Sequence, residues 1–265
     1  LRYGKKFSGK IITVKISYLT KAHKLLDGLK WKTFQESDLR EKLKKPKIDI
    51  NKSQSGKVLV IGGSTGMSGA IILTTLAVLR SGSGMAICAL PASINNTFEM
   101  NVLEGISLPL EDNQSGYLKL KHYDIIMEKT KWADSVVIGP GVGRNIETQS
   151  LIKKLVLNIK KPLVVDADGL SCFEGNAGDL LQRKFPLVIT PHFGELSILL
   201  NISVDKLIIQ FPQVMENFMK KFSHTALVKQ VPACTFSETY AFLNTTGNPG
   251  LATSGSGDVL AGMIG

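Results

Sequence analysis

The feature that most constrains the fold is an alternation that begins near residue 56. Short runs that are apolar throughout alternate with segments long enough to form helices, such as residues 70–81. We predict strands at residues 57–61, 85–90, 135–139, 162–166, 186–190 and 225–229. A strand that is apolar on both faces is buried on both faces, which indicates a mainly parallel sheet. We therefore predict an α/β fold, a three-layer α/β/α sandwich with a mainly parallel central sheet.

Glycine-rich or polar residues stand where the predicted strands end. They occupy residues 62–70, 139–144, 166–169 and 190–195, together with Lys229 and the loop at 247–258 before the last helix. The carboxyl ends of parallel strands meet at one edge of a sheet, and ligands of such folds bind beyond that edge. The sequence therefore predicts a single cleft lined by these segments.

The last of these loops carries Gly-Ser-Gly-Asp at 255–258, directly before an apolar run. Backbone N–H groups at a helix start can bind a phosphate, and glycines let the phosphate approach closely. Asp258 could then accept the proton of a hydroxyl that attacks phosphorus. Taken alone, the loop is equally compatible with a simple turn in which Asp258 caps the helix.

The composition of the chain limits the classes of partner that it can bind. The 265 residues suffice for one large domain, and the net charge of +10 favours anionic ligands. The basic run at 42–47 has no aromatic platform or recognition motif beside it, so we expect no nucleic-acid partner. We also expect no membrane partner, because no apolar run is long enough to span a bilayer. The three cysteines show no paired or metal-ligand spacing, which favours a reducing, cytoplasmic setting.

Four motifs in one order carry a family resemblance. They are Gly-Gly-Ser-Thr-Gly-Met-Ser-Gly-Ala ending at Ala70, Gly-Pro-Gly-Val-Gly ending at Gly143, Thr-Pro-His-Phe-Gly-Glu around His192, and Thr-Ser-Gly-Ser-Gly-Asp ending at Asp258. A fifth, Val-Val-Asp-Ala-Asp-Gly-Leu, lies at 164–170. Together they make the chain resemble the NAD(P)H-hydrate dehydratase family, which has a ribokinase-like fold.

The resemblance implies a repair reaction. Members of the family dehydrate the S-form of hydrated NADH or NADPH with the help of a nucleotide, which is ADP in typical bacterial members and ATP in eukaryotic ones. The hydrate hydroxyl would attack the terminal phosphoryl group, and phosphate would then leave as the ring is restored, with Mg²⁺ as the expected cofactor. A ribokinase-like small-molecule kinase and a nucleotide-binding module without catalysis remain alternatives. We also expect a homo-oligomer.

The resemblance also assigns residues. It gives Asp258 as the catalytic base, and no metal-ligating side chain. It implies nucleotide binding by Lys229, Gly255, Ser256 and Gly257, and binding of the hydrated cofactor by Ala70, Gly143, His192 and Asp258. One departure is Gln230, which follows Lys229 where the family has glycine, so contact of residues 229–233 with nucleotide is less secure.

Three carboxylates of these loops have both a functional and a structural interpretation. Asp166 and Asp168 could form a metal pair or an acid-base pair, but Asp168 could instead stabilise its loop near the substrate and Asp166 could close its strand. Glu195 could reach magnesium through a water molecule, or it could cap the helix that follows it.

The resemblance further implies a domain organisation. Residues 1–20 would be the tail of an epimerase domain, because bacterial members often carry one before the dehydratase domain. Residues 21–55 would form a linker, and residues 56–265 a dehydratase domain truncated at its C-terminus.

Overall fold

The computed structural model describes residues 30–33, 43, 46 and 48–265, and its core is one ten-stranded sheet. The strands are β1 (Lys30–Thr33), β2 (Lys57–Ile61), β3 (Met85–Pro91), β4 (Ile106–Leu110), β5 (Ser135–Ile138), β6 (Leu163–Val165), β7 (Leu187–Ile189), β8 (Thr225–Val228), β9 (Cys234–Phe236) and β10 (Tyr240–Leu243). Their order is β1-β10-β9-β8-β7-β6-β5-β2-β3-β4. Only β9 runs antiparallel to its neighbours β8 and β10, so the predicted, mainly parallel sheet is confirmed.

Helices cover both faces of this sheet. They are α1 (Ser68–Arg80), α2 (Asn95–Asn101), α3 (Tyr123–Thr130), α4 (Ile146–Asn158), α5 (Asp168–Ser171), α6 (Phe193–Leu200), α7 (Val204–Met219) and α8 (Ser256–Ile264). Short 3₁₀ turns lie at Ala92–Ile94, Leu120–His122, Ala177–Gln182 and Pro249–Leu251.

Two hydrophobic clusters lie on opposite faces of the sheet because side chains alternate along each strand. On β2, Leu59 and Ile61 belong to a cluster that includes buried residues of α3, α4, α6 and α7. Val58 and Val60 belong to the other cluster, with buried residues of α1, α2 and α8. The three-layer α/β/α sandwich is thereby confirmed.

The strand order reverses between β2 and β5. From β2 the chain moves outward to β3 and β4, then returns to β5 on the other side of β2 and continues through β6, β7 and β8. Such a switch point opens a crevice at the carboxyl ends of the two strands. The loops at 62–70 and 139–144 therefore border the same crevice.

Four strands, β1, β4, β9 and β10, were not predicted from the sequence. Strand β1 lies inside the predicted linker and pairs in parallel with β10, where the Trp31 and Phe236 rings meet edge to face at 5.6 Å. The predicted epimerase tail at 1–20 and most of the basic run at 42–47 lie outside the described residues.

No single helix in the described part of the chain is both long and apolar enough to cross a membrane. The pair α6 and α7 meets those criteria only when taken together, and the pair is bent by 81°.

Candidate active site

At two glycines beside the crevice, the backbones of neighbouring loops are too close together to leave room for a side chain. A side chain on Gly139, which has φ +119°, would place its Cβ 2.0 Å from the Asp166 carbonyl oxygen. A Cβ on Gly62 would lie 2.3 Å from the Pro140 carbonyl oxygen. The loops after β2, β5 and β6 therefore touch through backbone, as the predicted single cleft requires.

The loops after β2 and β5 bring Ala70 and Gly143 to one wall of the crevice. A Cβ on Gly141 would lie 3.0 Å from the Ala70 Cβ, and a Cβ on Gly143 would lie 3.2 Å from the Met67 Cε. The Ser64 hydroxyl donates to the Gly141 carbonyl at 2.8 Å and ties the two loops together. Ala70 and Gly143 are each partly exposed, so this wall is open to a ligand.

The start of helix α8 has no side-chain cap. Gly255 precedes the helix with φ +88°. Neither Gly257 nor Asp258 donates its N–H to a backbone carbonyl among the described residues. Ser256 is engaged differently, because its N–H donates to the Thr253 carbonyl at 3.4 Å and its hydroxyl donates to the Leu251 carbonyl at 2.6 Å. The free N–H groups face outward at the positive end of the helix.

The side chain of Lys229 lies beside this helix start. Its Nζ would be 3.4 Å from a Cβ on Gly257, and it donates to Asp166 Oδ1 at 2.6 Å. The Lys229 Nζ also lies 3.8 Å from Glu195 Oε2. Lys229 and Gly257, predicted from separate motifs, therefore stand together.

Asp258 is on the first turn of α8, and it is half-buried. Burial raises the pKa of its carboxyl group, the nearby charge of Asp166 raises it further, and the Lys229 ammonium opposes both. Among the described residues, no hydrogen bond to the Asp258 carboxylate is present. A carboxylate in this state is a better proton acceptor than an ordinary surface aspartate.

Helix α1 links Asp258 to the wall that contains Ala70. The Thr74 hydroxyl lies 2.9 Å from the Ala70 carbonyl oxygen and 3.1 Å from the Asp258 carbonyl oxygen. Helices α1 and α8 pack side by side along this line. Asp258 and one wall of the crevice are thus fixed to each other by a shared hydroxyl.

His192 and Glu195 form a reciprocal cap at the start of α6. The His192 Nδ1 accepts from the Glu195 N–H at 3.2 Å, and the Glu195 carboxylate accepts from the His192 N–H at 2.8 Å. The alternative that Glu195 caps its helix is therefore confirmed. The His192 side chain keeps 56% of its surface exposed, and its backbone pairs with Lys229 in a parallel β-bridge. The ring can therefore still meet a ligand.

The loop after β6 carries backbone strain. Ala167 has φ +50° and ψ −130°, which is rare for a residue other than glycine. Such strain costs on the order of 1–3 kcal/mol and clusters at functional sites. Ala167 lies between Asp166, whose side chain contacts Lys229, and Asp168, whose Oδ1 lies 3.3 Å from the Arg144 Nε. The structural role expected for Asp168 is thus observed.

From the sequence, strand closure was the favoured role of Asp166, and its contact with Lys229 was not predicted. Its carboxylate is buried and accepts from Thr190 Oγ1 at 2.6 Å as well as from Lys229. One signal could have indicated this position, namely a charged residue that directly follows an all-apolar strand.

Comparison with known proteins identifies the family. The sequence model of the NAD(P)H-hydrate dehydratase family matches residues 58–265. The chain belongs to the NAD(P)H-hydrate dehydratase family. A bifunctional NAD(P)H-hydrate repair enzyme of Moorella thermoacetica is 33% identical over 226 residues. That alignment covers 85% of this chain and 43% of the relative, so the chain spans less than half the length of such a dehydratase-containing protein.

Solved structures share the fold of this dehydratase-family chain. A ribokinase-like superfamily protein of Enterococcus faecalis superposes with a TM-score of 0.72 at 24% identity, covering 95% of this chain and 81% of that one. An ADP/ATP-dependent NAD(P)H-hydrate dehydratase of Bacillus subtilis, co-crystallized with ATP/Mg²⁺, gives 0.69 at 22% identity and covers 88% and 79%. The predicted ribokinase-like fold is confirmed.

Proposed function

We propose that the chain catalyses nucleotide-dependent dehydration of the S-form of hydrated NADH or NADPH, and that ADP is its phosphoryl donor. The observation that carries the proposal is the meeting of an uncapped helix start, the Lys229 ammonium and the half-buried Asp258 at one crevice. These are the parts that a phosphoryl transfer to a hydroxyl needs.

The phosphate side of the site comprises the helix start and Lys229. The N–H groups of Gly255 and Gly257 and that of Ser256 would donate to the transferring phosphoryl group, and the ammonium would neutralise its charge. The residues present fit a polyphosphate, because Gly257 lacks a side chain and leaves its N–H free.

The hydrated cofactor would occupy the other side, against Ala70, Gly143 and His192. The small residues allow a flat ring to approach backbone, and the exposed His192 ring supplies a polar contact. The hydroxyl of the hydrate would then point toward Asp258, which shares the Thr74 hydroxyl with the turn of Ala70.

Asp258 would act as the base of the first step. It accepts the hydroxyl proton while the hydroxyl oxygen forms a bond to the terminal phosphorus and the bond from that phosphorus to the nucleotide breaks. In the second step the C–O bond breaks, phosphate departs, and the neighbouring carbon loses a proton as the ring double bond forms. Phosphorylation converts hydroxide, a poor leaving group, into a good one.

Mg²⁺ would enter with the nucleotide. The described residues contain no group of three or more His, Cys, Asp and Glu side chains that could hold a metal ion. Magnesium commonly keeps several waters and binds nucleotide phosphates with few protein ligands, so such a site is compatible with this crevice. The ion would neutralise charge on the phosphates.

The proposal is tested with the full-length protein, hydrated NADH, Mg²⁺ and either ADP or ATP. Recovery of absorbance by the reduced nicotinamide ring, with release of AMP and phosphate in equal amounts when ADP is used, is the expected result. Phosphorylation of an unrelated alcohol without recovery of the ring would favour a small-molecule kinase. Nucleotide binding without either reaction would favour a module that only binds.

A further inference from the structure

Asp166 directly follows β6, and its carboxylate is buried although it carries a charge. Its side chain is 1% exposed and accepts two short hydrogen bonds, from Thr190 Oγ1 and from Lys229 Nζ, both at 2.6 Å. A buried carboxylate is tolerated only where a charge and hydrogen bonds compensate it. Lys229 is therefore its obligatory partner among the described residues.

Lys229 has a long flexible side chain that Asp166 holds in one place. The lysine side chain is 20% exposed, and its second carboxylate neighbour, Glu195 Oε2, is more distant at 3.8 Å. The ammonium remains beside Gly257, where its Nζ would lie 3.4 Å from an added Cβ. A cation held in place before a ligand arrives loses less freedom when the ligand binds.

We infer that Asp166 is a positioning residue that fixes the Lys229 ammonium at the start of α8 and so sets the affinity of the crevice for a nucleoside diphosphate. The inference rests on the proposed function for the identity of that ligand. Asp166 acts through Lys229, which lies nearer to the helix start: a Cβ on Gly257 would be 3.4 Å from the Lys229 Nζ and 3.9 Å from the Asp166 Oδ2. Its charge also adds to the electrostatic environment in which Asp258 works.

Asp168 provides a matched control on the same loop. It is two residues from Asp166, but it pairs with the exposed Arg144 and has no contact with Lys229. The substitutions Asp166→Asn and Asp168→Asn therefore make the same chemical change in the two settings. Only the first alters the counter-ion of the lysine.

The test is a double-mutant cycle on ADP affinity, measured by calorimetry with the full-length protein. We expect Asp166→Asn to weaken ADP binding about tenfold, since an unfixed ammonium gives up much of one charge-assisted contact. In a Lys229→Met background, Asp166→Asn should weaken binding no further. Asp168→Asn should bind ADP as the wild type does.

The double variant also guards against misfolding, because it removes the buried carboxylate and its paired ammonium together. The inference is overturned if Asp166→Asn binds ADP like the wild type, or if it weakens binding by the same factor with and without Lys229. A wild-type protein that binds neither ADP nor ATP overturns it as well. A wild type that binds ADP but fails to restore NADH contradicts the proposed function only.

Discussion

The protein buries two aspartates of this chain, Asp112 and Asp258, but only the first is compensated by hydrogen bonds. Asp112 follows β4, is fully buried, and accepts from the Gly116 N–H at 2.6 Å, the Ser93 hydroxyl at 2.8 Å and the Ser93 N–H at 3.1 Å. Burial alone would raise its pKa, but these hydrogen bonds lower it below the ordinary value. For Asp258 burial is the leading cause too, and its pKa is raised.

The difference shows that the number of hydrogen-bond donors around a buried carboxylate, and not its burial alone, decides whether its pKa is lowered or raised. Asp112 is saturated with donors and stabilises a loop whose Gly116 carbonyl accepts from the Thr65 N–H at 2.8 Å, beside the crevice. Asp258 has the Asp166 charge nearby and accepts no hydrogen bond among the described residues. Asp112 therefore holds structure, while Asp258 remains ready to take a proton.

The largest effect should come from Asp258→Asn. Removing the proposed base should lower the rate of the proposed NADH restoration by about 10²–10⁴-fold, the usual contribution of a general base. The folded protein should lose no stability, because the raised pKa means that the ionised carboxylate is disfavoured in the fold. Rates come from the absorbance assay and stability from thermal unfolding. Unchanged dehydration would contradict the role of Asp258.

Asp112→Ala should lower the stability of the protein, in contrast to Asp258→Asn. It leaves the buried donors of Ser93 and Gly116 without an acceptor, which should cost about 3 kcal/mol of unfolding free energy. Urea denaturation measures the loss, with the exposed Asp205→Ala as the control. A loss no larger than the control's would show that these hydrogen bonds contribute little.

Gly257→Ala tests the phosphate side of the site. An added Cβ would lie 3.4 Å from the Lys229 Nζ and would intrude on the expected path of the phosphate, so ADP affinity should fall about tenfold. Stability should not fall, since alanine favours a helix over glycine by about 1 kcal/mol. Calorimetry gives the affinity, with Gly178→Ala as control because its Cβ would meet nothing within 4 Å. Equal affinities in both variants would remove Gly257 from the phosphate site.

The smallest expected effects are on the pH dependence of the free energy of unfolding. A lowered pKa in the fold means that Asp112 contributes stability above its ordinary pKa and loses it as the pH falls through the folded value. For Asp258 the sign is opposite, and its contribution is lost as the pH rises through its raised pKa. Acid unfolding followed by circular dichroism should therefore become less steep in Asp112→Asn but not in Asp258→Asn. A slope unchanged by Asp112→Asn would contradict this assignment.

The sequence predicted the centre of the sheet well and its margins poorly. The six strands from β2 to β8, apart from β4, are short and almost entirely apolar, which is the pattern of strands buried on both faces. The strands that were missed, β1, β4, β9 and β10, lie toward the two edges of the sheet. Of these, β1 and β4 are the edge strands, which leave one side unpaired, and β4 contains Pro109.

The candidate site likewise has features that were predictable from the sequence and features that were not. Glycines at 255 and 257 and the loops after β2 and β5 were predictable because their roles depend on local backbone. The pairing of Asp166 with Lys229 was not, because the two are 63 residues apart and meet only through the order of β6, β7 and β8. The difference between Asp112 and Asp258 was equally hidden, since donors from distant loops create it.

The most direct test is a ¹³C NMR titration of the two carboxyl groups in the folded protein, with Asp112→Asn and Asp258→Asn used to assign the signals. We expect Asp258 to titrate above the ordinary aspartate pKa and Asp112 to titrate below it. An Asp258 that titrates at or below the ordinary value would contradict the account, because the crevice would then hold no carboxylate prepared to accept a proton.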